Sequence, residues 1–307
     1  MKRFHGEKRA LVVTFLNGVY DSSSCTFMLL KVIYELGATY RQLFLGLVSL
    51  TFVMWLRTFF CMPKHAIPWP LTDKFEFSWR DWKNTKQARE SGSITSCKSD
   101  DRFLCTRWVD IKANLLTKNF IFMNLWYIVA NLRHVFFISA FNAWVTINCD
   151  SECACISSWT SFFGILQFFG VAVAPLMGAF INSVASRFED ETSAKNISCG
   201  SSLALASLLG ILLSTSSLIL ESVGNDQKYI FIFSTCLFEI FFRSSVYSSQ
   251  ANYVATLFPF QQFGVLYGFS MSIAGLTGFL SIPLFTFVMN SLQGYRSSKF
   301  KSNYFIL

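Results

Sequence analysis

The segment FLNGVYDSSSCTFMLLKVIYELG, residues 15–37, carries an acid, a base and several hydroxyls inside a run otherwise fit for hydrocarbon. Asn17, Asp21, Ser24, Met28, Lys31 and Glu35 follow one another at steps of four, three, four, three and four. That rhythm predicts a helix with all six on one face. A charge at the bilayer centre costs roughly 3 kcal/mol even on the lenient insertion scale. A lone membrane helix would not tolerate such a stripe against lipid, so the stripe must face protein or water. A bundle of helices around a wet, selective cavity supplies both, and the segment reads as part of a transporter.

Composition sets the same class. The chain is 52% hydrophobic and 17% aromatic, with 35 Phe, and only 14% of its residues are charged, where soluble domains carry about a quarter. Mean hydropathy is +0.42. The net charge of +8 would suit nucleic acid, but no basic stripe interleaved with aromatics occurs, and most of the excess lies in loops beside apolar runs. The nine Cys lack the paired spacing of a zinc site. Cys149, Cys153 and Cys155 cluster in a short polar stretch, which reads as free thiols or one disulfide in a hairpin rather than a metal site. No metal and no cofactor is expected.

A membrane-spanning helix needs about 20 mainly apolar residues. Seven windows qualify, near 10–35, 40–62, 119–145, 156–181, 201–221, 229–255 and 263–289. The expected fold is an all-α membrane protein with about seven transmembrane helices. The expected order is a cytosolic stub (1–9), two spans (10–62), a cytosolic central loop (63–118), five spans (119–290) and a tail (291–307). No cleavable secretory signal is read at the start, because the apolar span behind its basic residues is long and contains Asp21 and Lys31. Basic residues near span ends favour the cytosol. The stub, the central loop with its eleven Lys and Arg, and the loop holding Arg187 and Lys195 together contain 17 of the 26 basic residues, and simple alternation puts all three on one side. The tail, with Arg296, Lys299 and Lys301, falls on the other. The sequon Asn196-Ile-Ser198 lies in a loop on the cytosolic side in this topology and is expected to stay unglycosylated; a mobility shift on glycosidase treatment would invert the orientation.

Two spans before a cytosolic linker and five after it suggest part of the two-half, twelve-span architecture of the major facilitator superfamily, lacking the first four helices and the last. Asp21 lies about eleven residues, roughly 16 Å, from the cytosolic start of its span, near the depth where transporter sites concentrate. It faces the cavity or pairs with Arg243, Arg133 or Lys31. In the window 119–145, Asn124, Tyr127, Asn131, His134 and Asn142 lie near one face. Amides and imidazoles donate and accept hydrogen bonds, which suits a solute with a mixed polar edge; interhelical bonding is the other reading. Arg133, one residue round and near mid-span, calls for a carboxylate or carbonyl partner. In the window 229–255, Glu239 and Arg243 sit four apart, one above the other, and Gln250 continues the face. They make a substrate-contacting or gating helix, or a structural pair. The cavity-lining candidates are Asn17, Asp21, His134, Asn142, Glu239, Arg243 and Gln250. Gly264 and Gly268 in one span, and Gly170, Ala174 and Gly178 in another, permit close helix contact, while Pro175 and Pro283 are placed to bend their spans.

Residues 15–37, followed by WLRTFFCMPKHAIPWPL (55–71), resemble the fifth and sixth helices of solute carrier family 43. LRHVFFISAFN (132–142), FFRSSVYSSQANYVATLFP (241–259), FGVLYG (263–268) and IPLFTFVMNSLQG (282–294) extend the resemblance, so that it covers roughly residues 10–294. The Pro-aromatic-Pro element in MPKHAIPWPL is similar to that of the equilibrative nucleobase transporter branch. The resemblance implies sodium-independent facilitated diffusion of purine bases such as adenine, guanine and hypoxanthine, by a multi-pass protein of the plasma membrane. The alternatives are facilitated transport of large neutral amino acids, and a non-transporting fragment that associates with a full-length carrier. The expected partners are thus lipid, a small solute and, in the last case, an intact carrier; nucleic acid is not among them. An enzyme is not expected, since no HExxH, GxSxG, P-loop or GxGxxG stands in a context that would work.

Overall fold

The computed structural model describes residues 7–23, 25–61, 110–149, 153–220, 225–259 and 262–291, and every regular element among them is an α-helix. The central loop between 62 and 109, the first residues of the stub and the tail beyond 291 lie outside the described residues. The helices are α1 (Glu7–Ser22), α2 (Cys25–Glu35), α3 (Tyr40–Cys61), α4 (Lys118–Asn148), α5 (Cys153–Phe168), α6 (Gly170–Ala185), α7 (Glu191–Ile219), α8 (Asn225–Leu257) and α9 (Phe263–Gly278). Five helical stretches are long and apolar enough to cross a membrane, or six if the bent pair α5–α6 counts as one span. The protein is an all-α membrane bundle.

Six of the seven expected windows coincide with these stretches. The first does not, because residues 10–35 are divided between α1 and α2. The break comes at Ser23, whose N–H turns back to the Tyr20 carbonyl at 3.1 Å. The six-residue stripe is therefore not carried by one continuous helix. Asn17 and Asp21 share α1, and Lys31 and Glu35 share α2, where they form an i,i+4 ion pair at 3.8 Å.

The chain clusters into two compact units. One contains most of α2 and all of α3, whose apolar side chains are exposed along its length, as expected for a helix lying in lipid. The other contains most of α1 with α4 to α9. At its centre stands α8, which packs against α7, α6, α4, α9 and α5. Two apolar layers hold it. Phe120, Met123, Tyr127, Leu213, Phe242, Val246 and Leu266 form one, and Phe141, Val145, Phe163, Ile232, Cys236 and Ile240 form the other. Burial of each such side chain contributes about 1.5–3 kcal/mol against water, but between helices already in lipid the contribution comes from packing.

A tight turn falls just upstream of each of the two prolines, and at the first of them the helix bends. The α5–α6 break, at 44°, lies at Phe169, six residues before Pro175. There the Phe169 N–H bonds Leu166 O at 2.9 Å and the Ala172 N–H bonds Phe169 O at 2.9 Å, a tight 3₁₀ turn. Before Pro283 the same pattern appears, with the Leu280 N–H bonding Thr277 O at 3.0 Å, after which residues 281–291 are helical again.

The expected close approach of small residues occurs at α6. A Cβ on Gly18 of α1 would lie 2.8 Å from the Ala174 Cβ and 3.2 Å from the Gly170 carbonyl oxygen. Gly18→Ala is expected to destabilise this unit by about 1–3 kcal/mol through overpacking, read as a lower thermal midpoint in detergent; an unchanged midpoint would mean that α1 moves aside freely. At Gly264 and Gly268 a Cβ would meet nothing within 4 Å, so the GxxxG of α9 makes no close helix contact among the described residues. Asp190 caps α7, its carboxylate accepting the Ser193 N–H at 2.8 Å, and hydrogen bonds from the Ser193 side chain first and its N–H second hold the carboxyl below the usual range. The sequon Asn196-Ile-Ser198 thus lies inside helix α7 rather than in a loop.

Candidate functional site

Between the two apolar layers α4 and α8 each turn a polar stretch toward one another. His134 stands near the middle of α4, fifteen or so residues from either end, about 22 Å of helix. Its Nδ1 is 2.5 Å from Oε1 of Glu239, and both side chains are buried, Glu239 completely. The Tyr247 ring meets the His134 ring edge-on at 5.9 Å, and the Tyr247 hydroxyl donates to Asn131 Oδ1 at 3.0 Å. Asn131 Nδ2 in turn donates to the Ala274 carbonyl of α9 at 3.3 Å. From α1, Asn17 Nδ2 donates to the main-chain carbonyl of Tyr247 at 3.3 Å. Arg243 donates through Nη1 to Gln167 Oε1 of α5.

Local spacing pairs Glu239 with Arg243, but the fold separates them. On a helix of 3.6 residues per turn the two positions differ by about 40°, enough to aim Glu239 at α4 and Arg243 at α5. Gln250 lies on the same face of α8 and is completely buried. Both of its amide atoms lack a hydrogen-bond partner among the described residues, as do Glu239 Oε2 and Asn124 Oδ1. Each such orphan costs about 1–3 kcal/mol. In a transporter those are the groups a polar solute would complete.

All seven candidates belong to one unit, and five of them, Asn17, His134, Glu239, Arg243 and Gln250, lie in or beside one polar layer. Asn142 does not join them. It is exposed, and its main-chain carbonyl takes a bond from Thr146 at 2.8 Å. Asp21 lies on α1, and its side chain lies outside the described ones. Sequence reasoning missed Gln167 and Tyr247. Gln167 had a usable signal, a lone amide in an otherwise apolar window; Tyr247 stands four residues after Arg243 and three before Gln250, on the face already identified.

Arg133 hydrogen-bonds neither a carboxylate nor a carbonyl among the described residues, and Glu239 acts on it only through its charge. It donates to the Ser214 hydroxyl and lies 5.7 Å over the Phe242 ring. The cysteine cluster resolves into a disulfide, Cys149–Cys155, with Cys153 a free and exposed thiol. No group of three or more potential metal ligands occurs among the described residues.

The chain is 26% identical over 305 residues to equilibrative nucleobase transporter 1 of Bos taurus, an alignment covering 94% of this chain. It spans 61% of the length of that relative. No protein-family pattern matches the chain. No solved structure is similar to it. With several helices long and apolar enough to cross a bilayer, the chain is a multi-pass membrane protein, and what it is similar to is a transporter.

Proposed function

We propose that the chain forms part of a facilitative carrier of purine bases, working by alternating access within a two-half bundle of the solute carrier 43 and major facilitator type. The observation that carries this is the buried polar layer on α8, with Gln250 and Glu239 Oε2 left without hydrogen-bond partners among the described residues. Those groups offer both a donor and acceptors, the complement of a purine edge. A site built to hydrogen-bond its solute rejects analogues lacking those groups far more sharply than apolar fit does. The resemblance of the chain to a nucleobase transporter supports the same solute class. Uptake of tritiated adenine by cells expressing the chain tests the reading: uptake equal to vector controls removes it, and uptake blocked by leucine but not by hypoxanthine transfers it to neutral amino acids.

The orientation that goes with this reading puts the stub, the central loop and the Arg187–Lys195 loop in the cytosol. The hairpin between α4 and α5 then faces outward, where a disulfide persists. In intact cells a membrane-impermeant maleimide is expected to label Cys153, shown by loss of that label in Cys153→Ser, and to spare the buried Cys199 and Cys236. Labelling of Cys153 only after permeabilisation would reverse the topology. Co-purification with an intact carrier is the corresponding test for association.

A further inference from the structure

The polar groups left without hydrogen-bond partners do not stand at one depth. Glu239 and Gln250 share a face of α8 but lie eleven residues, about 16 Å, apart along it. Side chains on a helix all lean toward its N-terminus, so the spacing carries over to the Glu239 carboxyl and the Gln250 amide. A two-ring base is too short to meet both. Gln250 therefore needs a different companion.

Helix α8 runs antiparallel to α4, since Glu239 meets His134, Tyr247 meets Asn131, and the Tyr253 hydroxyl donates to the Asn119 carbonyl at 3.4 Å. Gln250 stands three residues from each tyrosine, between them in height and in angle, and so faces α4 midway between Asn119 and Asn131. Asn124 is at that level. It lies two turns before Asn131, nearly on the same face, and Asn131 reaches both α8 and α9. Asn124 is 7% exposed and Gln250 not at all. Asn124 spends its Nδ2 on the Phe120 carbonyl at 3.0 Å, so it offers one acceptor, Oδ1, while Gln250 offers Oε1 and Nε2. The Tyr127 and Tyr247 rings, edge to face at 6.2 Å, stand between this level and His134.

The level carries no charge. Neither 120–130 of α4, 196–206 of α7, 246–257 of α8 nor 263–278 of α9 contains an Asp, Glu, Lys, Arg or His. An amino acid would bring an ammonium and a carboxylate here with nothing to balance either, at a heavy desolvation penalty. A neutral base brings N–H donors for the two amide oxygens and a ring nitrogen for Nε2.

We propose that Asn124 and Gln250 form a solute station of their own, about 15 Å from the His134–Glu239 pair toward the α4 N-terminus, which takes flat, uncharged solutes with both donors and acceptors and refuses zwitterions. It has three partnerless atoms where Glu239 has one, so it is the station that retains solute. The inference rests on the carrier reading above and narrows its solute class.

Equilibrium binding of tritiated adenine to the purified full chain tests it. Unlabelled hypoxanthine is expected to displace the label, and leucine is not. Asn124→Leu should weaken adenine binding roughly tenfold or more, as Gln250→Leu does, while Glu239→Gln should cost clearly less. Asn124→Asp keeps an acceptor and adds a charge. It should gain binding of benzamidine, a flat cation that the parent ignores, which shows that the fold has survived. Adenine bound equally by the parent and Asn124→Leu would overturn the station and leave the carrier reading standing. So would equal losses in Glu239→Gln and Asn124→Leu, or a benzamidine response unchanged by Asn124→Asp. Tritiated leucine bound through Asn124 and Gln250 would overturn the uncharged class. A parent chain that binds none of these solutes would remove the carrier reading, and the station with it.

Discussion

Glu239→Ala is expected to destabilise the α4–α8 bundle by about 3–5 kcal/mol, the range for removing one partner of a buried pair. Uptake per molecule at the cell surface should fall with it. The carboxylate is completely buried, and its hydrogen-bond partner among the described residues is His134 at 2.5 Å. Without it the imidazole keeps its edge contact with Tyr247 but loses the group that fixes its tautomer. Tyr247 also holds Asn131, so the loss should spread along α4 and toward α9. Glu239→Gln keeps an acceptor for an Nδ1–H and should lose much less stability. His134→Ala should be costly on its own, yet the double variant should cost less than the two single changes added, because each removes the same contact. Thermal midpoints in detergent and surface-corrected adenine uptake measure both halves of the expectation. A Glu239→Ala protein with an unaltered midpoint would show that the pair does not hold these helices together.

Much of the bundle was legible from hydropathy, and the reason is physical. Backbone groups in lipid must be satisfied within the segment, so a long apolar run such as 119–145 has little choice but helix; it appears as α4, extended to Lys118–Asn148. What hydropathy does not encode is where a helix breaks. The window 10–35 meets the length rule, yet one helix ends at Ser22 and the next begins at Cys25, so the apparent stripe from Asn17 to Glu35 is split. Periodicity likewise assigned a face but not its depth. It put Asn142 with His134, while neighbouring helices cover the face at His134 and leave Asn142 exposed. The choice of partner was least legible of all. Glu239 and Arg243 are four residues apart and invite pairing, but His134, 105 residues away, is the partner the fold supplies. Arg243 meets Gln167 across 76 residues. Such pairs depend on which helices become neighbours, and no local spacing carries that information.

Gln250→Leu should separate a solute-binding role from a structural one, because the two roles predict opposite signs. The side chain is completely buried, and neither amide atom has a partner among the described residues. Leucine is close in size and has no polar atoms to leave unpaired. If the amide waits for solute, replacing it removes a penalty of about 1–3 kcal/mol from the empty protein, and the thermal midpoint should rise. The same change deletes a donor and an acceptor from the solute site, so adenine uptake should fall roughly tenfold or more. Stability gained where activity is lost is the usual mark of a functional group held in an unfavourable setting. Added adenine should then raise the midpoint of the parent protein and leave that of Gln250→Leu nearly unmoved, since only a bound ligand stabilises by mass action. A Gln250→Leu protein that is both less stable and less active would instead identify the amide as part of the packing, and the polar layer would lose the group on which the solute reading most depends.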